Sequence, residues 1–91
     1  MAGVGAELST LQELHTTFVN KASDAESIKS EVDSALDNSV WTGANADKFR
    51  DAWEEYKQNL NNLRDALDDA ANDVKINHNN IAEATGEGDR I

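Results

Sequence analysis

The stretch RDALDDAANDV, residues 64 to 74, crowds Asp65, Asp68, Asp69 and Asp73 into one run. Carboxylates at that density suggest either a divalent-cation site or an acid–base pair. Calcium sites usually draw their ligands from a bent loop with a glycine at the turn, and this run has no glycine. Paired-carboxylate catalysis needs two acids in a dry cleft with their proton affinities pushed apart. Nothing in this spacing supplies such a cleft, so the run reads as a solvated helix face. His15 and His78 stand far apart in a chain without cysteine, which argues against structural zinc. No Ser-His-Asp or Cys-His arrangement appears, and the Gly-Glu-Gly at 86 to 88 lies in the tail rather than in a phosphate loop. No catalytic, cofactor-binding or metal-ligating residue is expected.

The chain has 91 residues and a formal net charge of −10, from 18 acidic and 8 basic side chains. It reads as a single domain over residues 1–91. A domain this small buries a modest share of its surface, and the usual supports are disulfides, metals or a partner. With the first two set aside, association remains. The negative charge argues against nucleic acid, where phosphate neutralisation supplies most of the affinity, and against a basic lipid-binding face. No segment approaches the ~20 apolar residues of a membrane span. The N-terminus MAGVGAELSTLQEL has neither a basic n-region nor an apolar h-region. The expectation is a cytoplasmic protein, or one exported without a cleavable signal peptide.

Proline is absent, and glycine occurs only at 3, 5, 43, 86 and 88. Start and stop signals predict helix 1 over about 6–39, a turn over about 40–44, helix 2 over about 45–84, and a flexible tail at 85–91. In the first helix, positions alternately four and three apart are Val4, Leu8, Leu11, His15, Phe18, Ala22, Ala25, Lys29, Val32 and Leu36. In the second they are Ala46, Phe49, Trp53, Tyr56, Leu60, Leu63, Leu67, Ala70, Val74, Asn77, Ile81 and Ala84. Only His15, Lys29 and Asn77 break the apolar pattern, and a spacing sustained this long marks a coiled-coil-like seam. The fold class is all-α: an antiparallel two-helix hairpin. Leu8, Leu11, Phe18, Ala22, Val32, Leu36, Phe49, Trp53, Tyr56, Leu60, Leu63 and Leu67 are its expected core or dimer-interface residues. Beside the first seam runs a second strip of Leu14, Ile28 and Ala35; Ala52, Ala66 and Ala71 flank the other. Two helices leave part of that surface exposed, which marks an interaction site, and a dimer making a four-helix bundle would bury it.

Such a hairpin needs a reversal, and Gly43 can take the positive φ of a tight turn. Thr42 or Asn45 is the expected cap of the second helix, with Asp47 suiting its positive end. Trp41, next to the turn, has two readings: a plug at the end of the core, or part of a recognition surface. His15 reads as a packed side chain or as a pH-sensitive dimer contact. His78 is placed to meet the negative end of the second helix. Lys29 and Asn77 either snorkel outward or set the register.

A Trp-x-Gly at the midpoint of a helical hairpin resembles the WxG family of small type VII secretion substrates, also known as the early secreted antigen family. VWTGANADKFRDAWEEY, with Phe49 six residues after Gly43, is similar to actinobacterial members. The resemblance spans the chain, and Trp41 and Gly43 match the motif. It implies a non-enzymatic ESX-like secretion substrate or co-substrate, pairing with itself or with a second WxG protein. It also implies export in the folded state by an FtsK/SpoIIIE-type ATPase, reached through the C-terminal region or through the partner. One departure stands out. Many family pairs carry Tyr-x-x-x-Asp/Glu after the second helix, whereas here Tyr56 is followed by Leu60, and Ile81 by Thr85. In a heterodimer the partner would supply the signal; a homodimer stays open, since some family members export without the full pattern. The alternatives are an intracellular helical adaptor, and an effector that contacts membranes when acid relieves the repulsion of its charge.

Overall fold

The computed structural model describes residues 7–86, 88, 90 and 91. Two helices, α1 (Leu8–Asp37) and α2 (Ala44–Ala84), pack antiparallel as a hairpin of 64 × 18 × 16 Å. Val4, the first position of the expected seam, lies outside the described residues. Neither helix contains a glycine or proline, so nothing interrupts their backbone ladders.

Neither helix start has a side-chain cap, whereas at the other ends the Ser39 hydroxyl donates to the Leu36 carbonyl at 2.6 Å and the Thr85 hydroxyl to the Ile81 carbonyl at 2.8 Å. The expectation that Thr42 or Asn45 caps α2 is corrected. Its N-cap is Gly43, at φ 105° and ψ 179°, in a region essentially reserved for glycine. Asp47 does lie in the first turn, where the positive end of the helix favours a carboxylate.

Register follows from two ion pairs. Asp33 meets Lys57, and Glu26 meets Arg64, so continuing the alignment sets Asp37, the last residue of α1, level with Trp53. The first turns of α2 therefore run beyond the end of α1, and residues 38–43 return alongside them. Six extended residues span up to ~20 Å, enough to cover the ~13 Å of helix left over.

The interior is narrow. Its buried residues are Ala22, Ala25, Ala46, Trp53, Ala71, His78 and Ala82, so alanines let the axes approach. Leu8, Leu11, Phe18, Leu36, Leu60 and Leu67 flank this line, half-buried. The expected α2 seam divides. Trp53 and the later members of its heptad row face or border α1, and Ala46 is buried in the part of α2 beyond its end, while Phe49, Tyr56, Leu63 and Asn77 point outward. Lys57, Arg64, Ala71 and His78 take the inward row instead. On α1, Val32 is likewise exposed, and Asp33 beside it turns in. In this rotation Asp33 and Glu26 meet Lys57 and Arg64, and the Trp53 indole N–H meets Asp33.

At the far end, Gly86 turns the chain at φ 80°, with its N–H on the Glu83 carbonyl at 3.3 Å. The tail expected to be flexible makes contact at Ile91, whose backbone N–H donates to Asn79 Oδ1 at 2.9 Å. Asn79 Nδ2 donates in turn to the Ile91 main-chain oxygen at 3.2 Å.

Candidate functional site

Between the helices, on one side of the hairpin, lies a polar ladder. The Trp53 indole N–H donates to Asp33 Oδ1 at 2.7 Å, and Lys57 reaches the same oxygen at 3.2 Å and Glu54 at 3.0 Å. Lys29 donates across to Asn61 Oδ1 at 2.8 Å and pairs with Glu26 at 3.1 Å. Arg64 bridges Glu26 and Asp65, each at 3.1 Å. These contacts hold Glu26 below its ordinary pKa, chiefly through Lys29 and then Arg64. Asp33 is lowered chiefly by the Trp53 N–H and then by Lys57. Lys57 is raised by Glu54 and then Asp33, and Arg64 by Asp65 and then Glu26. Water reaches the whole ladder, so each ion pair adds little stability. Its main effect is to fix register and rotation.

The opposite side is apolar. Residues three or four apart are neighbours on a helix surface, so Phe49, Tyr56 and Leu63 lie one row round from Ala46, Trp53 and Leu60. Leu14, Ile28 and Val32 are displaced in the same rotational sense from Phe18, Ala25 and Lys29. In an antiparallel pair that sense leads to the same side of both helices. Val19, Ser23, Glu54 and Gln58 are displaced the other way and line shallow clefts beside the ladder. The apolar side is also nearly free of charge. The two α2 rows that form it, Ala46 to Ile81 and Phe49 to Ala84 in steps of seven, contain no charged residue. The α1 strip admits Lys21, which pairs with Asp24 at 3.5 Å.

The tip continues this side. Trp41 lies on Phe49 with ring centroids 5.4 Å apart and planes at 42°. Both rings stay open to solvent, 41% and 39% exposed, beside a fully exposed Val40. Trp41 is therefore no buried plug, although Ala46 nearby in the overrunning part of α2 is fully covered.

A Trp-x-Gly connector thus joins two long antiparallel helices, and a family model described as "proteins of 100 residues with WXG" matches residues 5–84. The chain belongs to the WXG100 family. No curated protein and no solved structure matches it. WXG100 proteins are non-catalytic, and they are made in the cytoplasm and exported without a cleavable signal peptide. Among the described residues of this WXG100 chain, no group of three or more His, Cys, Asp or Glu is placed to hold a metal ion. Asp65, Asp68, Asp69 and Asp73 are all exposed. No described helix is long and apolar enough to cross a membrane.

The expected interface residues of the WXG100 hairpin thus fall into two groups. Ala22 and Trp53 are buried between the helices, with Leu8, Leu11, Phe18, Leu36, Leu60 and Leu67 at the border. Val32, Phe49, Tyr56 and Leu63 stand on the open apolar side, together with Trp41. Asn77 sets no register: it is exposed and donates to the carbonyl of Asp73 in its own helix. His78 does not meet the helix end; it is 1% exposed and its Nδ1 lies 3.2 Å from Asn79 Oδ1. The residues that sequence reasoning missed are Glu26, Asp33, Lys57 and Arg64. Their signal was present: two acids seven apart on one helix and two bases seven apart on the other.

Proposed function

We propose that this chain is an export substrate or co-substrate of a type VII secretion system that travels as a pair, its apolar side covered by a second copy or by another WXG100 protein in a four-helix bundle. The observation that carries this reading is the distribution of size and charge. Alanines fill the hairpin interior, while Tyr56 and Leu63 remain 51% and 50% exposed on one side. Each such half-exposed side chain has about 1 kcal/mol of burial still to gain. A chain of net charge −10 that keeps one side nearly free of charge offers a direction from which a like-charged copy can approach. The secretion ATPase would then be engaged through the C-terminal region or through the partner, since Tyr56 and Leu60 do not form the Tyr-x-x-x-Asp/Glu signal.

The test is absolute mass by light scattering on the chain alone. A mass near twice 9.9 kDa, reduced to the single-chain value by Tyr56→Glu with Leu63→Glu at unchanged helix content, supports self-pairing. A single-chain mass that doubles only on adding a second family member supports a mixed pair. A single-chain mass under both conditions defeats the pairing reading. Export is tested separately: the protein should leave the medium of its host when the secretion ATPase is deleted, and its persistence there would overturn that part.

A further inference from the structure

We infer that Asn79 is a clasp that holds Ile91 against α2, so that the C-terminal residues become available to a partner only when the clasp opens. The Ile91 N–H can only donate and its main-chain oxygen can only accept, and Asn79 meets the first with Oδ1 at 2.9 Å and the second with Nδ2 at 3.2 Å. A primary amide carries a donor and an acceptor side by side and so meets both main-chain groups of Ile91 at once.

Three further features make the contact a built one. His78 is buried, and its Nδ1 lies 3.2 Å from the same Asn79 oxygen. Because that oxygen cannot donate, the hydrogen in this contact belongs to the ring, and the imidazole anchors the amide from behind. Gly86 supplies the left-handed turn that sends the chain back, at φ 80° with no atom near a would-be Cβ. The distance also closes: Asn79 lies ~10 Å of helix before Gly86, and five residues span up to ~16 Å. Ile91 is half-buried at the end of this path.

What the C-terminal residues do once free rests on the export reading given above; the clasp itself does not. The experiment is nuclear magnetic resonance on the full chain. The unaltered protein should show a nuclear Overhauser contact between the Asn79 side-chain amide and the Ile91 N–H. The Ile91 amide should exchange with solvent about 10-fold more slowly than an unstructured chain, the scale of a net hydrogen bond. Asn79→Ala, which removes both partners, and Asn79→Asp, which sets a carboxylate oxygen against the Ile91 main-chain oxygen, should return exchange to the unstructured rate at unchanged helix content. Asn80→Ala, at an exposed neighbour, should leave it slow. Unprotected Ile91 in the unaltered chain, absence of the Overhauser contact, or protection that survives both Asn79 substitutions would overturn the clasp. A failure of export in the host would leave this outcome untouched and count only against the export reading.

Discussion

Trp53 and Asp33 are joined across the hairpin at 2.7 Å, and this contact is where the buried and the charged parts of the molecule meet. Trp53 is the largest buried side chain and belongs to the apolar row, yet its indole N–H ends on the carboxylate that Lys57 also holds. The bond fixes which way α2 is rotated, and that rotation decides which apolar residues stay outside.

Removing the ring should therefore cost more than removing its bond. Trp53→Phe, which keeps most of the packing, should lower unfolding stability by about 1 kcal/mol. Trp53→Ala should lower it by about 3 kcal/mol, in the range for large core truncations. Urea unfolding followed by helix signal checks both, and equal losses would show that packing contributes little.

The ladder has a defined pH window. Glu26 and Asp33 have folded-state pKa values below their ordinary ones, so their stabilisation is present above about pH 4 and is lost as pH falls through the lowered values. Lys57 is raised, so its share is present below about pH 10 and is lost as pH rises through the raised value. Self-repulsion acts the other way on the acid side, since a net charge of −10 is relieved by protonation. Melting temperature should thus hold or rise from pH 7 to about pH 5 and fall below about pH 4. Glu26→Gln with Asp33→Asn should blunt the fall; an unchanged acid limb in that variant would remove the ladder from the account.

At the turn, Gly43→Ala meets no steric obstacle, because nothing lies within 4 Å of the added carbon. Its cost should come from backbone conformation alone, about 1–3 kcal/mol for a non-glycine residue held at such angles. Thr42→Ala should be nearly silent, its hydroxyl capping nothing. Thermal unfolding of the two variants separates these effects, and a silent Gly43→Ala would mean that the connector relaxes.

Trp41→Ala should be mild for the isolated hairpin. The stack on Phe49 is open to solvent, so its loss should cost about 1 kcal/mol without lowering helix content. If the tip contributes to pairing, affinity measured by sedimentation should fall further than stability does. Parallel losses would confine Trp41 to packing.

The sequence made much of this legible. Absence of breakers, Gly43 and the four–three spacing led directly to a two-helix hairpin, because those features act locally along the chain. The rotation of the helices was hidden. Counting apolar positions treats Phe49, Tyr56 and Leu63 as equals of Trp53, whereas the fold separates them through charge pairs between distant segments. Asn79 and Ile91 were hidden for a related reason. Their bond depends on the path of the chain after Gly86, and an asparagine among other asparagines carries no local sign of being used.

The narrow interior has a consequence for transit. With alanines drawing the axes together, the end-on profile of the hairpin stays near its 18 × 16 Å however many turns the helices contain. Length in such a molecule adds nothing to bore. A conduit that admits the native hairpin lengthwise would therefore place no limit on how far its cargo can be extended, and would discriminate instead by what is carried alongside.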